Sequence, residues 1–299
     1  MMKIYIFLAV LLFSLISCED QISIKSNGQD HCLVVYCFPS PEDSVDINIS
    51  TSQSIDGKIP ELNNVRMVCR VNGKTVPYHF VKEEIPSSKI PIETYRLEEK
   101  VSQGDTVHIE TSATGFSTVT ATVSIPDNPE QPDFSLDTLF LKGDWYTQIR
   151  CLMKDPPGED YYAIRVQGLE DDDDSLVIRT EAIETTGEPI LNNYNTGNDG
   201  FNTSNDFYHN FYIFDDTGIT DSQYTLHLNM PERDYIKSYK VQFFHISREF
   251  YKYMKSLNNI NNNDFGNYGM SLIRPTYTNI QNGAGILGAY SMTESKWLK

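Results

Sequence analysis

The chain has 299 residues and a formal net charge of −17, with 39% apolar, 12% aromatic and only 22% charged residues. Its 18 Tyr and 15 Phe give a folded, strand-leaning composition and exclude a disordered one. The acidic balance excludes a nucleic-acid partner, because phosphate contacts require a basic surface.

Lys3 precedes an apolar run over 4–15, and the small Ser17 stands directly before Cys18. This is the layout of a secretory signal over 1–17, and the ending Leu15-Ile16-Ser17-Cys18 resembles the lipobox of bacterial lipoproteins. The expectation is cleavage before Cys18 and acylation of its sulfur and freed amine. About two to three acyl chains, at roughly 0.8 kcal/mol per buried methylene, hold a protein on a membrane without a spanning helix. A transmembrane helix fits less well, since the run falls well short of the roughly 20 residues a bilayer core requires. Glu19 and Asp20 follow the cysteine. Acidic residues at this place resemble a surface-export signal of Bacteroidota lipoproteins, so 18–30 reads as lipid anchor and tether on the outer membrane, facing outward.

From residue 31 almost every segment reads as strand. The run 31–37 is continuously apolar, as a strand buried on both faces would be. Val45, Ile47 and Ile49 alternate with Asp46, Asn48 and Ser50; 65–71 alternates again, and Asn72-Gly73 signals a hairpin before 76–82. With 95–99, 106–112 and 117–125 this makes about seven short strands separated by turn signals, the pattern of an immunoglobulin-like β-sandwich over 31–126.

The proline-rich joint 126–132 is the best boundary in the chain. Beyond it Trp145, Thr147, Ile149, Cys151 and Met153 alternate with polar or outward residues, Asp155-Pro-Pro-Gly158 turns into 161–167, and further strands are expected at 176–183, 210–214, 223–230 and 239–246. One helix stands out near 247–257. Ser247 caps it, Ile246 and Tyr251 form a staple, and Phe250, Met254 and Leu257 make one apolar stripe. The fold class is therefore all-β: the sandwich, then a second β-rich, sandwich-like domain over 131–292 with one short helix. Two long stretches without periodicity, 185–206 and 258–275, are of a length usually reserved for functional or mobile loops.

The closing run Tyr277-Thr-Asn-Ile-Gln-Asn-Gly-Ala-Gly-Ile-Leu-Gly-Ala-Tyr-Ser291 resembles the C-terminal signature of the domain-of-unknown-function 4249 lipoproteins of the Bacteroidota. Other pieces agree in order: Leu33-Val-Val35 with the family's first strand, 104–126 with its strand pair, Asp155 to Tyr162 with its Asp-to-Tyr turn, Phe214-Asp-Asp216 with its acidic segment, and 241–253 with its last strand and helix. Ala289, where the family usually has Gly, and Leu287, where Phe is common, depart from the pattern. The resemblance implies an outer-membrane lipoprotein, often encoded beside a TonB-dependent receptor, and no established reaction.

Four cysteines follow Cys18. Cys32, Cys37, Cys69 and Cys151 read as small buried apolar residues, with a bridge from Cys32 or Cys37 to Cys69 as the alternative. The acid run 170–174 lacks the alternation of a calcium loop and reads as a solvated stretch. His31, His79, His108, His209, His227 and His245 show no metal-ligand spacing, and no nucleophile elbow or phosphate loop is present. No metal and no cofactor are expected. Tyr194, Phe201, Phe207 and Tyr208, in or beside the 185–206 loop, are candidates to stack on a glycan or peptide ligand. Gly283, Gly285 and Gly288 mark a close approach, either by the chain itself or by a partner. The functional expectation is a non-catalytic lipoprotein that captures ligand for, or assists, a TonB-dependent β-barrel receptor. A surface adhesin or structural component is the alternative, and a glycan-degrading enzyme with a carboxylate pair is a further one.

Overall fold

Alternation along the chain becomes two sandwiches, each closed over its own apolar layer. The computed structural model describes residues 31–53, 59–85, 90–172, 175–191, 211–219, 222–261 and 276–299. The first sandwich holds β1 (Leu33–Cys37), β2 (Asp46–Thr51), β3 (Arg66–Val71), β4 (Lys74–Val76), β5 (Tyr78–Glu84), β6 (Ile92–Leu97), β7 (Thr106–Ser112) and β8 (Val119–Ser124). One sheet carries β1-β2-β6-β5 and the other β4-β3-β7-β8. Leu33, Val35, Ile47 and Ile49 from the first sheet meet Cys69, Val107, Ile109 and Val119 from the second in one core. On the outer face of β2, Asp46 takes a two-pronged bond from Arg96 at 2.6 and 2.7 Å.

The Asn72-Gly73 signal forms the β3–β4 turn, both residues at positive φ (51° and 80°), the backbone that suits a two-residue hairpin. The segment 76–82, expected as one strand, breaks at Pro77. Proline has no N–H to continue the ladder, and the chain passes there from one sheet to the other as β4 gives way to β5.

The second sandwich holds β9 (Asp133–Leu141), β10 (Asp144–Lys154), β11 (Tyr161–Asp172), β12 (Ser175–Glu181), β13 (Tyr212–Asp215), β14 (Gln223–Pro231) and β15 (Ile236–Ile246), followed by helix α1 (Arg248–Asn261) and by β16 (Ala284–Leu287) and β17 (Tyr290–Glu294). Its sheets run β9-β10-β14 and β12-β11-β15-β17, with β13 also on β11. Ile149, Cys151 and Met153 of β10 and Leu226, Leu228 and Met230 of β14 face Tyr162, Ile164, Val166, Val241 and Phe243.

The β11–β15 sheet is covered on its other face as well. Ala163, Phe244 and Ile246 meet Phe250, Met254 and Leu257 of α1, the stripe visible in the sequence, together with Tyr36 and Phe38 of the first sandwich. The rings of Phe38 and Phe250 lie 4.8 Å apart. Burial on both faces explains why β1 reads as a near-continuous apolar run, and why β11 opens on Tyr161-Tyr-Ala-Ile164 and β15 carries the adjacent pair Phe243-Phe244. α1 begins as expected, with Ser247 Oγ accepting the Phe250 N–H at 3.2 Å. Among the described residues no helix is long and apolar enough to cross a membrane.

β16 leaves the second sandwich. It pairs in parallel with β1, Val34 opposite Ala284 and Cys37 opposite Leu287, and so adds a fifth strand to a sheet of the first sandwich.

Candidate functional site

Two turns and one strand end meet where the sandwiches join. The β10–β11 turn is Asp155-Pro-Pro-Gly-Glu-Asp160; two prolines end the β10 ladder because neither offers an N–H. β13 ends in a short 3₁₀ turn over Asp216–Gly218, which Asp215 caps by accepting from the Thr217 N–H. The two turns staple each other: the Asp160 N–H donates to Asp216 Oδ2 at 3.0 Å and the Asp216 N–H to the Asp160 carbonyl at 3.3 Å. Each carboxylate of Asp155, Asp160 and Asp216 places an oxygen within 4.8 Å of the other two.

β15 contributes His245. Its Nε2 lies 3.0 Å from Asp160 Oδ1, its Nδ1 lies 2.9 Å from the Asp127 carbonyl in the joint between sandwiches, and its ring stacks on Tyr162 at 5.3 Å. The Tyr162 hydroxyl donates to Asp155 Oδ1 at 2.9 Å.

Burial pushes the Asp155 carboxyl above its usual range; the charges of Asp216 and Asp160 push the same way, against the Tyr162 hydrogen bond and His245. Asp215 behaves oppositely. Burial raises it, but bonds from Thr217 and from the Tyr251 hydroxyl outweigh burial and hold it below the usual range. Burial also raises the Tyr162 hydroxyl, helped by its bond to Asp155. Three carboxylate oxygens at this spacing are donors of the kind a hard divalent cation takes. Here Tyr162, His245 and the Asp160 amide already engage them, so the geometry acts first as an electrostatic fastening of turn to turn.

A cleft of about 530 Å³ opens beside this cluster. Thr122 and Asp127 line it from the first sandwich and the joint, Glu159 and Asp160 from the turn, and Arg248 and Glu249 from the start of α1. Its walls are about as apolar as polar; Val123, Ile125 and Ile246 line it beside the carboxylates of Asp127, Glu159, Asp160 and Glu249, with Arg248 among them.

The expected site residues are distributed differently. Cys18, Tyr194, Phe201, Phe207 and Tyr208 lie outside the described residues. The part of the 185–206 stretch that is described folds onto the second sandwich: Leu191 is in the core, and the fully buried Glu188 accepts from the Tyr224 hydroxyl at 2.6 Å and the His227 N–H at 2.8 Å. The close approach at the three glycines is made by the chain itself. A Cβ on Gly283 would sit 2.7 Å from the Leu33 carbonyl, one on Gly285 would overlap the Val35 carbonyl, and one on Gly288 would sit 2.9 Å from Phe250. Gly285 and Gly288 are buried, which leaves no surface at either for a partner. Glu170 and Asp171 of the acid run pair with Arg179 at 2.9 Å and Lys237 at 3.2 Å. Cys32, Cys37, Cys69 and Cys151 are free thiols, the last three buried; burial pushes the Cys69 thiol up to about 11 and raises those of Cys37 and Cys151, which makes them inert.

The convergence of Asp155, Asp160, Asp216 and His245 is not legible in the sequence. Its signal was present in two separate pieces, the Asp155-to-Tyr162 turn and the Phe214-Asp-Asp216 segment, and nothing in either spacing says that they touch.

A family model described as Domain of unknown function (DUF4249) matches residues 19–296. No curated protein matches the chain.

Proposed function

We propose, from the premise that this chain belongs to the domain-of-unknown-function 4249 family, that it is a lipoprotein anchored through Cys18 to the outer membrane, where it captures ligand for, or assists, a TonB-dependent receptor without catalysing a reaction. The observation that carries this reading is the cleft at the joint. Both sandwiches wall it, so it is part of the frame, and clefts between such units are preferred ligand sites. Asp160 and His245 of the acid–histidine group line it, each held by other members of the group or by the other. Groups engaged in this way fix a shape and a field; they suit binding better than proton transfer.

Mild-detergent purification of the tagged protein from native membranes tests the proposal. Recovery of a β-barrel receptor in stoichiometric amount, and loss of nutrient uptake in a deletion strain, is the expected result. Recovery alone or as polymers with unaltered uptake favours an adhesive or structural role. Turnover of a polysaccharide or peptide library that a single Asp or Glu substitution abolishes overturns the non-catalytic reading.

A further inference from the structure

The C-terminal residues 276–299 bind the molecule together in a way that ordinary strand order does not require. Gln281 exchanges backbone bonds with Thr120 of β8 at 2.8 and 3.4 Å, and β16 then lies along the edge of β1, so the segment spans both sheets of the first sandwich. Ile280 and Leu287 enter that sandwich's core, while Ile286 and Tyr290 enter the apolar layer around α1. Ala289 takes the Ser247 N–H on its carbonyl at 2.8 Å. Ser291 Oγ reaches the carbonyls of Pro126 and Asp127 in the joint, both at 2.8 Å. β17 pairs with β15, and Leu298 exchanges backbone bonds with Tyr239 at 2.8 and 3.0 Å.

We infer that the β1 edge, with the adjoining end of β8, is a strand-acceptor site built for this chain's own C-terminal segment, and that filling it locks the two sandwiches to each other. Without β16, the edge of β1 opposite β2 presents unpaired N–H and C=O groups, a template that takes an added strand. Selectivity comes from thinness. A side chain at Gly283 would meet Leu33 and Val119, one at Gly285 would overlap Val35, and one at Gly288 would meet Phe250. Gly285 also sits at φ +94°, where side-chain-bearing residues are strained. An ordinary apolar strand is therefore rejected, and a strand with glycine at these three places is admitted.

The test uses the whole mature chain with a protease recognition sequence introduced between Asn261 and Thr276, folded first and cut afterwards. The cut pieces are expected to co-elute under native conditions. A fluorescent synthetic 276–299 peptide in excess should exchange into the acceptor, and the same peptide carrying Gly285→Val should bind at least about 100-fold more weakly, as overpacking at a fixed backbone demands. Hydrogen exchange supplies the second readout: on dilution of the cut chain, amides of Leu33–Cys37 and that of Ser247, which donates to the Ala289 carbonyl, should lose protection together, by about tenfold or more. Release of the C-terminal piece with protection at Leu33–Cys37 and Ser247 unchanged would overturn the lock. Equal binding of the Gly and Val peptides would overturn the acceptor's selectivity.

Discussion

His245 and Asp160 lie 3.0 Å apart through Nε2 and Oδ1, with side chains only 15% and 18% exposed, and the other nitrogen of the same imidazole reaches the Asp127 carbonyl at 2.9 Å. One side chain of the second sandwich thus ties the proline-rich joint to the acid cluster.

Replacement of His245 by Phe keeps a ring to stack on Tyr162 and removes both polar contacts. Asp160 then loses a partner in a mostly buried place, and such a loss costs about 1–3 kcal/mol. Urea unfolding at neutral pH should show a lower midpoint of that size, and loosening beside the joint should appear as faster amide exchange at Ile125, whose N–H donates to the Asp105 carbonyl at 2.8 Å. An unchanged midpoint and unchanged exchange would mean that the tie bears no strain.

Two neighbouring carboxylates should give opposite pH signatures. Asp155 has its folded value raised above the ordinary 3.8 by burial and by Asp216 and Asp160. Its contribution to stability is fully present below that ordinary value and is lost as pH rises through the raised one. Asp215 has its folded value lowered from 3.8, the bonds from Thr217 and Tyr251 outweighing burial. Its contribution is present above 3.8 and is lost as pH falls through the lowered value. Asp155→Asn should therefore stabilise the protein at pH 7 relative to acid, and Asp215→Asn should destabilise it at pH 7 with the difference vanishing in acid. Denaturation midpoints of the two variants across that range check the signs.

Much of the fold was legible because burial on one face leaves a period of two. β2, β3, β7 and β14 each show it, and the α1 stripe shows a period near 3.6. β9 does not: at one edge of its sheet, its inner residues Phe134 and Leu136 are only partly covered, and Phe140 is 59% exposed, which blurs the contrast that periodicity depends on. The pairing of β16 with β1 is hidden for a different reason. β16 has four residues, Ala-Gly-Ile-Leu, and the segment that follows it is fastened to partners as far as 247 positions away, as where the Tyr290 hydroxyl donates to Asp43. No local pattern encodes a partner at that distance. The acid cluster shares this property, being assembled from the ends of β10, β13 and β15. Each of its turns was visible alone, and only the sheet order brings them into contact.

Ser247 shows how a legible feature conceals a second role. The sequence presents it as a helix cap, and its Oγ does accept the Phe250 N–H at 3.2 Å. The same oxygen accepts the Ala289 N–H at 3.1 Å, and the residue is 7% exposed. A cap alone is worth about 1 kcal/mol. Ser247→Ala deprives two buried amides of their acceptor, so the loss should reach about 2–4 kcal/mol. Calorimetric or urea unfolding decides between the two sizes, and amide exchange at Ala289 should accelerate with that at Phe250.

Gly73 and Gly285 separate backbone preference from steric exclusion. Both sit at positive φ, +80° and +94°, so alanine at either place meets the same conformational penalty, about 1 kcal/mol. The surroundings differ. A Cβ on Gly73 has nothing within 4 Å, whereas one on Gly285 overlaps the backbone of Val35, in a strand whose register to β1 is fixed by pairing. Backbone cannot step aside as the end of a long side chain can, so overpacking adds about 1–3 kcal/mol or more to the conformational penalty. Gly73→Ala should lower the unfolding free energy by about 1 kcal/mol and leave hydrogen exchange in β1 unchanged. Gly285→Ala should lower it by about 2–4 kcal/mol and expose the amides of Leu33–Cys37. Equal effects of the two substitutions would show that β16 moves away from β1 at little cost, and that the pairing between them is loose.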